Sequence, residues 1–185
     1  VRDDGVLAAL TYQRSENVVA WTRHIFGGVF GTGKAVCESV ATISGNLTED
    51  EVRVIIKRTI NGATKRYVEF LKTFDFGNDV KDSFFVDSGL TYSGSAATSI
   101  SGLAHLEGET VSILADGSTH ASKTVSSGAI TLDAAAKEVQ VGLPFTSQIQ
   151  TLRVDEGSRL GSAQGKIKRI SEILSLIHIS EPTRP

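Results

Sequence analysis

The tightest constraint on this chain is how little room it leaves between its apolar runs. Val6–Tyr12 (VLAALTY), Val18–Trp21 (VVAW), Ala35–Ile43 (AVCESVATI), Glu51–Thr59 (EVRVIIKRT) and Thr64–Lys72 (TKRYVEFLK) follow one another within about 70 residues. The joints between them are polar turns or glycine-rich loops, such as Gln13–Asn17 and Gly27–Lys34. A parallel pair of strands needs a crossover of a dozen or more residues, usually a helix, and these joints, short or glycine-rich, leave no room for a crossover helix. The runs are therefore predicted to be antiparallel strands in a meander. The first two, apolar throughout, fit strands buried on both sides, which places Trp21 in the interior. Glu51–Thr59 alternates, with Val52, Val54 and Ile56 on one face and Arg53, Ile55 and Lys57 on the other. Asn61-Gly62 marks a tight hairpin, because both residues tolerate positive φ. Residues 1–73 thus have the pattern of one blade of a β-propeller, or of one sheet of a sandwich.

Residues 74–101 change character. Phe74, Phe76, Phe84 and Phe85 are interleaved with aspartates, and Gly, Ser, Ala and Thr then take over. This fits a connecting segment anchored by aromatic side chains. From residue 102 a second set of strands is expected: Glu109–Ala115, closed by the turn Asp116-Gly117, then Ala129–Leu132, Glu138–Leu143 and Gln148–Val154. Val139, Val141 and Leu143 share one face. Residues 102–173 read as a small β-barrel or sandwich. The fold class is all-β. Residues 174–185 (LSLIHISEPTRP) match the in-frame translation of a sequencing-library adapter, hold two of the three prolines, and are set aside as a non-native tail. The acidic start without Met gives the expectation of a piece cut from a longer protein.

Composition narrows the function classes. With 19 Lys+Arg against 21 Asp+Glu the formal charge is −2, which does not suit a globally basic nucleic-acid binder. A single cysteine, Cys37, excludes an internal disulfide and a multi-cysteine zinc site. No apolar run approaches the ~18 residues of a membrane-spanning helix. Gly28–Ala35 (GVFGTGKA) imitates a phosphate-binding loop, but Ala35 stands where that loop needs Ser or Thr for the metal, and the following run is β-like rather than helical. It reads as a hairpin loop. His24, His105 and His120 are widely spaced, without a second ligand at metal spacing. Cys37, inside an apolar run, reads as a small buried hydrophobe. No GxSxG elbow occurs. Asn46-Leu47-Thr48 fits a glycosylation sequon only if the protein is secreted, and Glu49-Asp50-Glu51 reads as a solvated turn. Two basic clusters stand out: Arg53, Lys57, Arg58, Lys65, Arg66 and Lys72, against Glu51 and Glu69, and then Lys166, Lys168 and Arg169. A basic strip of this kind faces phosphates or, more often, blunts a sheet edge. No residue is assigned a catalytic, cofactor-binding or metal-binding role.

Several stretches carry a specific likeness. VLAALTYQRSENVVAWTRH, VCESVATI, EVRVIIKRTINGATKRYVEFL, FFVDSGLTYSG, ISGLAHLEGETVSILADG and VQVGLPFTSQIQTL resemble a family of tailed-bacteriophage tail and neck structural proteins of the nozzle, or tail tubular protein B, type. The likeness spans nearly all of residues 3–173, with Arg53 where members carry Trp and a longer loop at Gly27–Lys34. It implies a β-propeller platform bearing further β domains, in a ring of copies through which DNA leaves. It also implies a non-enzymatic virion protein assembled in the bacterial cytoplasm. The implied partners are other copies of the chain, neighbouring tail proteins and passing DNA, with no cofactor. Two further readings are a glycan- or host-surface-binding β module, which needs an exposed aromatic platform, and a glycan-degrading enzyme, which needs two carboxylates about 5–10 Å apart across a cleft.

Overall fold

The computed structural model describes residues 1–45, 50–73, 75–148 and 150. Val1–Thr146 form one compact unit, and the architecture below is that unit's. Among the described residues the regular structure is strand apart from three single 3₁₀ turns, and every pairing is antiparallel. β1 (Leu7–Gln13) and β2 (Val18–His24) pair as a two-stranded hairpin. Asn17 closes its turn in the left-handed region, at φ 53°. β3 (Val29–Phe30) and β4 (Gly33–Lys34) form a miniature hairpin. β5 (Val36–Ile43), β6 (Glu51–Ile60) and β7 (Ala63–Phe70) make a three-stranded sheet in that order. β8 (Asp87–Ser101), β9 (Thr110–Ala115), β10 (Ser118–Thr124) and β11 (Ala129–Leu143) make a four-stranded sheet in the order β10-β9-β11-β8. Both predicted turn dipeptides have the required backbone: Asn61 and Gly62 at φ 48° and 73°, Asp116 and Gly117 at 46° and 80°.

The all-β, antiparallel reading holds, and so does the facing of β6: Val54 and Ile56 are buried while Ile55 is exposed. Four expectations change. The first 73 residues are not one continuous meander, because β1–β2 and β3–β4 each stand apart from the β5–β6–β7 sheet. The first two strands are not buried on both sides. Beyond Leu7 the hairpin leaves the body, and Trp21 is 70% exposed, Tyr12 65% and Val19 63%. An apolar run does not by itself say whether its side chains are covered within the unit. Residues 74–101 are more than a connector, since they contain β8, which pairs with β11 along most of its length. Its Ser, Gly, Ala and Thr lack the β-branched density that signals a strand, and pairing with the apolar β11 supplies the order instead. Finally, the second set of strands closes no barrel among the described residues; it is an open sheet. The expected strand Gln148–Val154 and the whole tail from 151 lie outside the described residues.

Two buried clusters share β6. One gathers Leu7, Phe26, Ala35 and Cys37 around Val54 and Ile56. The other covers one face of the four-stranded sheet, with Val139, Val141 and Leu143 on its central strand, and takes Ile60 from the end of β6. Val139–Leu143 are buried on both faces. On the second face Gln140 is bonded at both ends of its amide: its Oε1 accepts from Thr91 Oγ1 at 2.5 Å and its Nε2 donates to the Lys81 carbonyl at 3.1 Å. Gly142 allows the closest approach on that face. A Cβ there would stand 2.7 Å from both the Asp87 carbonyl oxygen and Gly89 Cα. Gly142→Ala is therefore expected to destabilise the unit by about 1–3 kcal/mol, read from urea denaturation. Gly33→Ala, whose added Cβ meets nothing nearer than 3.8 Å, should fall within about 0.5 kcal/mol of the parent.

Candidate functional site: an aromatic cleft between two strand edges

A cleft of about 580 Å³ opens in this unit. Its walls include two unbroken runs of chain, Tyr67–Lys72 at the end of β7 and Phe84–Thr91 leading into β8. Side chains along a strand alternate between the two faces of a sheet. A cleft that touches every residue of such a run must therefore lie along the strand's edge, not over a face. Both strands are edge strands: β7 bounds the three-stranded sheet and β8 the four-stranded one. The walls are mainly apolar and aromatic, with Phe26, Phe70, Phe76, Phe84, Phe85 and Phe145 among them.

Several polar groups at the cleft fall into two bonded sets. Arg58, on the inner face of β6, is 0% exposed. Its Nε donates to the Gly27 carbonyl at 2.7 Å, and its two terminal nitrogens grip both oxygens of Glu69, one of them at 3.1 Å. The Gly27 amide in turn donates to Asp87 Oδ2 at 2.5 Å. Burial pushes the Asp87 carboxyl above the usual range, partly opposed by the Gly27 bond and the Arg58 charge. His105 bonds the Ser88 carbonyl through Nε2 at 2.8 Å, and the Tyr67 hydroxyl donates to the His105 carbonyl at 2.8 Å. Lys72 places its ammonium 4.5 Å from the Phe84 ring centre.

The residues weighed from sequence distribute as follows. Gly28–Ala35 is the β3–β4 hairpin and opens no helix; Lys34 meets Asp4 at 3.4 Å. His24 and His105 both line the cleft, whereas His120 bonds Ala121 and Asp133 elsewhere. Among the described residues no three His, Cys, Asp or Glu side chains come together as a metal site. Cys37 is buried, and that burial raises its thiol above the ordinary value, against the thiolate a nucleophile needs. Lys166, Lys168 and Arg169, the sequon at Asn46 and Glu49 lie outside the described residues.

The basic strip of β6–β7 dissolves on inspection. Arg58 faces the interior. Lys57 and Arg66 converge on Glu38 at 3.0 and 2.7 Å, and the Arg66 and Lys57 bonds hold the Glu38 carboxyl down at about 2. Arg53 pairs with Glu51 at 2.6 Å beside the Phe70 ring. Among the described residues Lys65, on β7, and Lys72, two residues beyond its end, remain without an ion pair. Sequence spacing showed the charges but not their partners: Glu38 reaches the strip from the neighbouring strand.

The group that sequence reasoning missed is Arg58 with Glu69 and Asp87. Glu69 and Asp87 do line one aromatic cleft, the arrangement a glycosidase requires. Such an enzyme needs one carboxyl to give up a proton and a second to attack or to hold water. Both oxygens of Glu69 are already bound by Arg58. No protein-family model matches the chain, and no curated protein matches it.

Two measurements follow from the network. Arg58→Met leaves Glu69 facing the interior unpaired and is expected to lose roughly 3–5 kcal/mol in urea denaturation, while Arg58→Met with Glu69→Leu should recover most of that loss. Equal losses in the two proteins would show that the pair carries no mutual stabilisation. For Asp87 the raised value means that the native state favours the proton. Its contribution is full below the unfolded value near 3.8 and is lost as pH rises through the folded one. Asp87→Asn, which keeps an acceptor for Gly27, should therefore gain stability relative to the parent as pH rises from about 4 to 7; a difference that is flat with pH would refute this.

Proposed function

We propose that this chain is a non-enzymatic structural module of a phage tail or neck, working as one subunit of a nozzle-like ring through which DNA passes. The supporting observation is the β1–β2 hairpin. Leu10 pairs with Trp21 and Tyr12 with Val19 across the strands, so four large apolar side chains stand together on one exposed face. A two-stranded hairpin is marginal in water by itself, and an aromatic patch of this kind marks a protein interface. Its chemistry suits contact with other copies or with neighbouring tail proteins. The capture of both Glu69 oxygens by Arg58 argues against glycoside hydrolysis at the cleft.

The aromatic cleft favours a second reading, a glycan- or host-surface-binding module, because sugars stack on aromatic rings. The two readings separate in the source DNA. A long read extending several kilobases to either side is expected to place this reading frame among portal, capsid and tail genes. A neighbourhood of carbohydrate-uptake genes, together with saturable oligosaccharide binding to the cleft that is lost in Phe85→Ala, would overturn the structural reading and install the second.

A further inference from the structure

We propose that the cleft between β7 and β8 receives the β1–β2 hairpin of a second copy of this chain, by addition of a strand edge. This deepens the reading of the chain as a ring subunit and rests on it. The slot offers the backbone edges of Tyr67–Phe70 and Asp87–Thr91, both on strands that, among the described residues, have a partner on one side only. Main-chain groups on such edges bind an extended segment through hydrogen bonds, and apolar walls select segments with large apolar side chains at alternate positions.

The hairpin meets that description. Among the described residues its sheet has two strands, so one edge of each has no partner there. Leu10, Tyr12, Val19 and Trp21 project from one face, and the opposite face carries Ala9, Thr11, Ala20 and Thr22, which are small enough to let a neighbouring backbone come close. At their present exposure Tyr12 and Trp21 together bring roughly 300 Å² to a contact, a substantial share of the ~800 Å² that one partner of a standard interface buries. Charge agrees as well. Glu16 sits exposed in the hairpin turn, and the slot presents Lys72, whose ammonium rests on Phe84 and, among the described residues, makes no ion pair. Donor and acceptor are different surfaces, so every copy gives a hairpin and takes one. Such a head-to-tail contact builds a ring when its rotation closes.

Trp21 is the chain's single tryptophan, so its emission reports the seat directly. Two variants of the 185-residue chain separate the roles. Tyr12→Ser with Trp21→Ser removes the donor and the fluorophore. Val68→Lys with Phe85→Lys spoils the slot at two side chains exposed enough to leave the fold intact, which circular dichroism verifies. The parent is expected to associate with rising concentration in sedimentation velocity, with Trp21 emission moving to the blue. Each double variant should weaken that association on the order of 100-fold, the effect of removing about two tenfold contacts. Mixing the variants supplies one intact hairpin and one intact slot. Trp21 of the slot variant should then shift to the blue, and assembly should stop at a 1:1 pair. Loss of association in the hairpin variant but not in the slot variant would put the hairpin elsewhere and overturn this seat, while leaving the subunit reading in place. A parent that stays monomeric with Trp21 exposed at high concentration overturns the seat too, and the gene neighbourhood then decides independently whether the subunit reading survives.

Discussion

Arg58 is the residue around which the unit is organised. Its guanidinium is fully buried yet satisfied from two directions, by the Gly27 carbonyl and by both oxygens of Glu69. Only a planar fork with several fixed donors can do this; a lysine ammonium would leave one partner unbound or bind both poorly. Gly27 passes the connection on to Asp87, the first residue of β8. One side chain of β6 thereby joins β7, the loop after β2 and the start of the second sheet. The loop has little freedom at that point. A Cβ on Gly27 would stand 2.5 Å from the Pro144 carbonyl, and one on Gly28 would press on Arg58 Cδ and Leu143. Glycine at both places is therefore a packing requirement of the arginine and of the end of β11.

The cleft follows from the same arrangement. Arg58 pulls Glu69 inward, and the Gly27 amide holds Asp87, so both carboxylates are fixed in the space between the edges of β7 and β8. Two strand edges that do not pair with each other then flank an opening, and the phenylalanines of residues 76–85 wall it. Edge strands in solution are usually protected by charge or by a covering segment. Here β7 carries the exposed Arg66 on its outer face and the exposed Lys65 on the other, whereas its end at the cleft, from Tyr67 to Phe70, is mostly apolar. The opening thus sets strand edges and apolar side chains side by side.

Much of the framework was legible in the residues, for reasons that can be named. The turn dipeptides Asn61-Gly62 and Asp116-Gly117 leave few alternatives, because their positive φ values fix tight antiparallel turns. The alternation of Glu51–Thr59 survives because one face of β6 is buried and the other is not. Long-range closure was not legible. β8 was hidden in a Ser/Gly/Ala/Thr stretch whose order comes from pairing with β11, more than 40 residues away in places. The Arg58–Glu69 pair joins residues eleven apart on adjacent strands that do not stand opposite each other: Arg58 faces Lys65 and Glu69 faces Val54, so the bond depends on how far the arginine side chain reaches along the shared face. Trp21 is the sharpest case. Its neighbours Val18, Val19 and Ala20 carry the composition of a buried strand, and the surface they are built to bury lies on the outside of this unit.

The charge arrangement bears on the proposed role in a way that neither net charge nor the basic strip suggests alone. A protein that grips DNA leaves its cations free to displace counterions from phosphates, and each such contact steepens the loss of affinity with salt. On the outer face of β6–β7 the opposite has happened: Glu38 holds Lys57 and Arg66, and Glu51 holds Arg53. These are exposed pairs of small energetic value to the fold. Their consequence is for the field outside, where opposite charges a few ångströms apart cancel within a Debye length of about 8–10 Å. A surface of that kind neither anchors a polyanion nor repels it strongly. For a ring through which DNA must move without being held, cancellation is a more useful property than either sign, and the carboxylates that achieve it stand on the same sheet as the cations they neutralise.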